Sequence, residues 1–329
     1  MNISILGAGN MGTALAHVLA GREHAVRVWD HFPEVTEDIR ARRENRRFLP
    51  GVHLHPGIEP YSQPDACVAG ADLVILCVPS AFVSPTLEPL LPALRPDAIL
   101  LNVAKGFAPG TRISMPDHIE WLAPSHPCVH LAGPAIANEL ARGLPASVVM
   151  ASRSLTAARQ VAEAFRSSSF LTSTSTDVTG ATLGGILKNV YAILLGCAAE
   201  IGGGSRNLQA TALTASVREM SEIVTACGGL QATISGLAGL GDLAATGSSP
   251  DSHNRKFGQA LAAGKSAAMI EAETGWLPEG ARACVRVCEL AAKMAVAAPL
   301  AEWVRDVLAG GSPAPDHFIE VLRAANTPR

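Results

Sequence analysis

A lysine inside an apolar helix and an acid inside a glycine-rich loop are the residues of this chain whose types and placement point most directly to catalysis. Lys188-Asn189 interrupts a small and apolar run, with Leu183-Gly184-Gly185-Ile186-Leu187 before it and Val190-Tyr191-Ala192-Ile193-Leu194-Leu195 after it. A lysine buried there is costly without a partner, and its ammonium gives up its proton more readily than in water. A structural reading makes it a tie for a neighbouring helix C-terminus. The catalytic reading is preferred, because Asp242 in Gly239-Leu240-Gly241-Asp242 offers an obvious partner. The loop containing Asp242 leads into a polar and basic cluster, Ser252, His253, Asn254, Arg255 and Lys256. Glycine permits close backbone approach, and Ser, Asn and Arg donate hydrogen bonds, so this stretch suits a small anionic ligand.

The chain opens with a second chemical signature. Gly7-Ala8-Gly9-Asn10-Met11-Gly12 follows an apolar strand and begins a helix. The first glycine allows a tight turn, the second lets backbone approach a pyrophosphate, and the third lets the helix lie close to the sheet. About 20 residues further on, Asp30 ends the second strand, where a ribose 2′-hydroxyl partner belongs. Asp30 would accept from that hydroxyl and repel a 2′-phosphate, favouring NAD, but Arg27 and His31 are close and Asp30 could instead cap its own loop. Lys105, in Asn102-Val103-Ala104-Lys105-Gly106, and the loop Gly133-Pro134-Ala135-Ile136-Ala137 both follow apolar strands. Ligands bind at that edge of a parallel sheet, so both loops are expected to line one cleft; a solvated loop lysine is the alternative for Lys105.

The elements that must position these residues follow an α/β rhythm and then lose it. Short runs rich in Val, Ile and Leu at 3–6, 25–29, 73–78, 98–103, 128–132 and 147–151 read as strands buried on both faces, with helices at 11–20 and 156–165 among them. This predicts a Rossmann-like, doubly wound sheet over residues 1–178. From 179 to 329 the strands stop. Helices are expected at 180–201, 208–227, 254–263, 282–295, 301–308 and 316–324, forming an all-α domain. The 329 residues suffice for two cores, and 48% hydrophobic with 17% charged residues fits a compact, ordered chain. A net charge of −3 gives no global attraction to nucleic acid or to anionic membrane, so any anion binding must be local. The seven cysteines show no metal-like spacing and read as reduced thiols. The first strand begins at once, without a signal-like segment, and the apolar run 180–204 is broken by Lys188, Asn189 and Glu200. A cytoplasmic protein without membrane insertion is expected.

Taken in order, these motifs resemble the NAD(P)-dependent glycerol-3-phosphate dehydrogenase family of bacteria. The resemblance rests on Gly7-Ala8-Gly9-x-x-Gly12-Thr13-Ala14-Leu15-Ala16, Phe48-Leu49-Pro50, Val78-Pro79-Ser80, Ala104-Lys105-Gly106 and Gly133-Pro134. It continues through Leu183-Gly184-Gly185, Lys188-Asn189-Val190, Glu219-Met220, Gly239-Leu240-Gly241-Asp242-Leu243, Ser252-x-Asn254-Arg255 and Glu279-Gly280. It implies hydride transfer between a nicotinamide cofactor, NAD or NADP, and the glycerol 3-phosphate/dihydroxyacetone phosphate pair, with Lys188 as proton donor and acceptor. Asn189 and Asp242 would orient the reacting end, and Lys105 would help hold substrate and cofactor. The implied substrate set is Lys105, Gly133, Ala135, Thr246, Ser252, His253, Asn254 and Arg255. The implied cofactor set is Gly7, Gly9, Asn10, Met11, Gly12, Asp30, His31, Lys105, Ala137, Leu277 and Glu279. A homodimer paired through alanine-rich helices is also expected.

Three positions depart from the family pattern. Ala135 stands where a hydroxyl residue is usual, Thr214-Ala215-Ser216 replaces Thr-Arg-Gly, and Ser252-His253-Asn254 replaces Ser-Arg-Asn. Histidine lacks the permanently charged fork of arginine, and losing one charge-assisted contact costs roughly 1.5–3 kcal/mol. Two alternatives therefore stay open: a dehydrogenase of the same scaffold acting on another small hydroxy or keto substrate (a phosphate, phosphonate or carboxylate), and a cofactor-binding regulator without catalysis.

Overall fold

The computed structural model describes residues 1–326. The chain divides into two compact units, Met1–Val178 and the remainder from Thr179.

The first unit is built on one eight-stranded sheet: β1 (Asn2–Leu6), β2 (Ala25–Trp29), β3 (Ile58–Tyr61), β4 (Leu73–Leu76), β5 (Ile99–Asn102), β6 (Cys128–Ala132), β7 (Ala146–Ala151) and β8 (Phe170–Ser175). Their order is β3-β2-β1-β4-β5-β6-β7-β8. Neighbours are parallel except β6 and β7, which meet antiparallel with Leu131 opposite Met150. The helices are α1 (Asn10–Ala20), α2 (Pro33–Arg42), α3 (Pro64–Val68), α4 (Val83–Leu87), α5 (Met115–Leu122), α6 (Ala137–Ala141) and α7 (Leu155–Phe165). One apolar cluster packs α1, α6 and α7 against the sheet through Ile5, Leu15, Leu140, Val161 and Phe165; a second packs Val83, Met115 and Ile119 with Leu76 and Leu100. The sheet is thus buried on both faces, which is why its central strands are mostly apolar, with Ser4, Asn102 and His130 buried among them.

Six of these strands match the apolar runs, while β3 and β8 do not. Both are edge strands. β3 reads Ile-Glu-Pro-Tyr, with a proline that only an edge tolerates, and β8 reads Phe-Leu-Thr-Ser-Thr-Ser with one side exposed.

The second unit is helical: α8 (Val178–Ile201), α9 (Arg206–Ala226), α10 (Gln231–Ser235), α11 (Asp242–Ser248), α12 (His253–Ala262), α13 (Ala267–Thr274), α14 (Glu279–Lys293), α15 (Pro299–Leu308) and α16 (Pro315–Asn326). A single π-helical turn, Leu237–Gly241, leads directly into α11. Helix α14 begins three residues before the 282 start that the apolar period suggests, with Pro278 extended at its N-cap and Glu279 in its first turn. Helix α8 is long and apolar enough to span a bilayer, yet its most apolar stretch is entirely buried within the protein. It crosses α12 at reciprocal glycine notches. A Cβ at Gly196 would stand 2.1 Å from the Arg255 carbonyl oxygen, and one at Gly258 would stand 2.0 Å from that of Ile193. The crossing fixes which residue of α12 meets which residue of α8.

Candidate functional site

In the first unit the order reverses at β1, which lies between β2 and β4, so the loops after β1 and β4 bound the crevice of an open α/β sheet. Gly7 leaves β1 with φ +102°, and a Cβ there would lie 2.9 Å from the backbone of Cys77 and Val78 after β4. At Gly12 a Cβ would lie 1.9 Å from the Gly7 carbonyl, so α1 can start this close to the strand only with glycine. No side chain caps α1, no acid occupies its first turn, and the space where a Cβ of Gly9 would point is open. Uncapped amides and an unopposed helix dipole beside an open approach fit the pyrophosphate of a dinucleotide. Asn10 braces the loop, its Nδ2 donating to the Phe48 carbonyl at 2.7 Å and to Asn138 Oδ1 at 3.1 Å.

Asp30 is nearly buried at the end of β2, and its Oδ1 accepts from the Phe32 amide at 3.0 Å. The loop-capping reading of Asp30 is therefore realised, and burial pushes its pKa up. His31 is exposed and meets Phe32 edge-on.

Lys105 is positioned by a buried neighbour. Asn102 Oδ1 accepts from the Ala104 amide at 3.1 Å, and its Nδ2 donates to the Ala104 carbonyl at 3.0 Å and to His130 Nδ1 at 2.9 Å. This closes the turn after β5 and turns the Lys105 ammonium toward the Gly133 carbonyl, 3.4 Å away. The Lys105 loop and the Gly133 loop therefore face each other, as the sequence suggests. Ala135 packs on the sheet core, and Ala137 opens α6 with little exposure.

In the second unit Lys188 is 8% exposed and Asp242 only 2%. The Lys188 Nζ donates to Thr246 Oγ1 at 2.8 Å and lies 3.2 Å from Asp242 Oδ1, while the Thr246 hydroxyl donates to Asp242 Oδ1 at 3.4 Å. Asp242 and Thr246 sit one turn apart on α11 and so present both oxygens to one lysine. The partnership inferred between Lys188 and Asp242 is present, with the ammonium aimed from the middle of α8.

The next residue, Asn189, begins a second chain. Its Nδ2 donates to Glu279 Oε2 at 3.1 Å, and its Oδ1 accepts from Asn254 Nδ2 at 3.1 Å. Asn254 Oδ1 in turn accepts from the Gly280 amide at 3.0 Å. A Cβ at Gly280 would lie 2.3 Å from the Asn189 carbonyl oxygen, so this glycine lets α14 approach α8. Ser252 caps α12 by accepting from the Arg255 amide at 3.2 Å. Arg255 donates from Nη1 to Gln259 at 3.2 Å. His253 places its ring edge-to-face with Trp276, centroids 4.6 Å apart, and partial burial followed by the nearby Lys256 charge lowers its pKa. Leu277 follows Trp276 and is half-buried. Ala215 is buried on α9.

The structure thus brings a lysine–acid–hydroxyl group and an asparagine chain onto α8, α11, α12 and α14, and a glycine turn and a loop lysine onto one edge of the sheet. Comparison with known proteins places the chain in a family. Residues 2–158 match the model for the NAD-dependent glycerol-3-phosphate dehydrogenase N-terminus, and residues 177–319 match the model for its C-terminus. The chain belongs to this family. It is 38% identical to a glycerol-3-phosphate dehydrogenase [NAD(P)+] from Anaeromyxobacter dehalogenans, over 99% of each chain. A relative of the same name from Trichlorobacter lovleyi is 36% identical, over 98% of this chain and 97% of its own. The crystal structure of glycerol-3-phosphate dehydrogenase from Coxiella burnetii superposes with a TM-score of 0.89 at 29% identity, covering 98% of both chains.

Sequence reasoning missed several contacts around these candidate residues. Trp276 carries no motif and is found only through its contact with His253. Asn102 lies inside a recognised motif, yet its role as the clasp behind Lys105 depends on His130 from the next strand. Gly280 was legible as a motif glycine but not as the notch under Asn189.

Proposed function

We propose that this chain interconverts sn-glycerol 3-phosphate and dihydroxyacetone phosphate, with NAD or NADP as hydride carrier and Lys188 as proton donor and acceptor. The observation that carries the reading is the buried Lys188 ammonium, held by Thr246 at 2.8 Å and Asp242 at 3.2 Å in a member of this family. When bound, the dinucleotide supplies a hydride to the ketone carbon or accepts one from the alcohol carbon. Gly7, Gly9, Asn10, Met11 and Gly12 hold its pyrophosphate at the α1 N-terminus; Asp30 and His31 meet its adenosine end; and Lys105, Ala137, Leu277 and Glu279 complete its contacts.

Lys188 donates its Nζ proton to the carbonyl oxygen as negative charge develops there. Its positive charge stabilises that oxygen before the proton moves. In the oxidative direction the neutral amine takes the hydroxyl proton. Asp242 and Thr246 keep Nζ in place through both steps, and Asn189 orients the reacting end. Ser252, His253, Asn254 and Arg255 at the start of α12, with Lys105, Gly133, Ala135 and Thr246, bind the rest of the substrate. Asp30 gives a slight preference for NAD, since its second oxygen can accept from a ribose hydroxyl and repels a phosphate there. The same reading takes the protein as cytoplasmic, and as a homodimer paired through the alanine-rich helices of the second unit.

The test is oxidation of NADH and NADPH by the full-length protein with dihydroxyacetone phosphate, beside a panel of small 2-keto acids and keto-phosphonates. A kcat/KM for dihydroxyacetone phosphate near or above roughly 10⁴ M⁻¹s⁻¹, higher than for the others, is expected. A better rate with another substrate would reassign the enzyme, and no turnover with any would favour a regulator.

A further inference from the structure

Beside Asp30 the structure places a cation that no motif names. The Arg47 guanidinium lies over the Phe32 ring with its carbon 3.8 Å from the ring centroid, and 5.0 Å from the centroid of Phe48. Phe32 is two residues past Asp30, and the Arg47 charge is close enough to favour ionisation of the Asp30 carboxyl. Arg47 Nη1 also donates to Glu34 Oε1, and both side chains are substantially exposed, at 44% and 61%.

We propose that Arg47 is the residue that admits the 2′-phosphate of NADP, and that Glu34 is the built-in competitor that keeps NAD acceptable. This rests on the dinucleotide reading given above. A guanidinium held over a ring by cation–π attraction keeps the N–H donors of its fork for hydrogen bonds, which suits a phosphate. Phe32 and Phe48 hold the guanidinium near Asp30, so it is partly ordered before the ligand arrives. The present occupant of the fork is an exposed carboxylate, and exposed pairs of this kind contribute little. A phosphate dianion can replace Glu34 at small cost. With NAD the Arg47–Glu34 pair stays closed and Asp30 meets the hydroxyl. With NADP the pair opens, and Arg47 offsets the repulsion from Asp30. Cofactor choice is then a contest among three charges rather than a property of Asp30 alone.

Two probes isolate the adenosine end: adenosine 2′,5′-bisphosphate and 5′-AMP, titrated calorimetrically into full-length wild type, Arg47→Ala and Glu34→Gln. Arg47→Ala should weaken the bisphosphate about tenfold or more while changing 5′-AMP less than about threefold. Glu34→Gln should tighten the bisphosphate and leave 5′-AMP alone. Steady-state rates with NADPH and NADH should follow the same pattern. Equal weakening of both nucleotides in Arg47→Ala, or undiminished bisphosphate binding, overturns the proposal. If wild type binds both probes but reduces no dihydroxyacetone phosphate, the proposed substrate is wrong, while the Arg47 assignment is still decided by the titration.

Discussion

The Tyr191 hydroxyl, three residues past Lys188 on α8, donates to the Glu219 carboxylate at 2.8 Å. Glu219 is 4% exposed, and it also accepts from the Leu300 and Ala301 amides at 3.0 and 2.9 Å. One carboxylate therefore joins α8, α9 and the first turn of α15, where an acid is favoured by the helix dipole. Burial nevertheless dominates and raises its pKa from 4.5 to about 7. The folded state holds this proton more tightly than the unfolded chain does. The contribution is therefore fully present below pH 4.5 and is lost as pH rises through about 7. Between pH 5 and 8, wild type should lose about 2–3 kcal/mol of stability relative to Glu219→Gln, whose side chain does not titrate. Denaturant unfolding of both proteins across that range measures it. Parallel pH profiles would show that Glu219 stays ionised in the fold.

Lys188→Ala should lower kcat by about 10²–10⁴-fold, the range expected for losing a positioned proton donor. NADH affinity, read by fluorescence titration, should change little, because Lys188 is tied to α11 rather than to the glycine turn. Asp242 loses its ammonium partner in this variant and is itself buried, so a lower melting temperature should accompany the lost rate. Near-normal turnover would remove Lys188 from the chemistry.

Two glycine-to-alanine variants should fail in opposite ways. Nothing lies within 4 Å of a Cβ at Gly9, whereas one at Gly280 would stand 2.3 Å from the Asn189 carbonyl oxygen. Gly9→Ala should melt like wild type yet bind NADH at least about tenfold more weakly, since the methyl occupies the pyrophosphate approach. Gly280→Ala should cost about 1–3 kcal/mol of stability by forcing α14 off α8. It should also slow turnover through the displaced Asn189. A melting-temperature loss in the first variant, or none in the second, would contradict these assignments.

The contrast between those glycines marks what the sequence discloses. The role proposed for Gly9 follows from its immediate neighbours, a strand before it and a helix after it, so local pattern suffices to propose it. Lys188 and Asp242 were legible as partners because each is anomalous where it stands, a charge among apolar residues and an acid among glycines. Glu219 offers no such cue. Its partners Leu300 and Ala301 lie 81 and 82 residues away, and they contribute only backbone amides, which every residue carries. Arg47 was hidden for the opposite reason, as one of several arginines in Arg42-Arg43-Glu44-Asn45-Arg46-Arg47, where the rings of Phe32 and Phe48 distinguish it only in the fold. Strands β3 and β8 escaped because an edge strand need not be apolar.

Of the proposed substrate-binding residues, His253 is the sharpest departure from the family pattern. Its ring meets Trp276 at 86°, in the first turn of α12, and its lowered pKa leaves it neutral near pH 7 with a single N–H to donate. An arginine there would add a permanent charge and could keep the contact with Trp276 by cation–π stacking. His253→Arg should therefore lower KM for dihydroxyacetone phosphate about ten- to a hundredfold while leaving kcat nearly unchanged. Acid should narrow the gap. Protonation of His253 below its depressed pKa supplies the missing cation, so the ratio of wild-type to variant KM should shrink as pH falls from about 7.5 to 5.5. The substrate phosphate titrates in the same range, and His253→Gln, whose side chain does not titrate, measures that contribution separately. A KM that does not improve in the variant would mean that His253 faces away from the phosphate, and a pH-independent ratio would mean that its proton takes no part in binding.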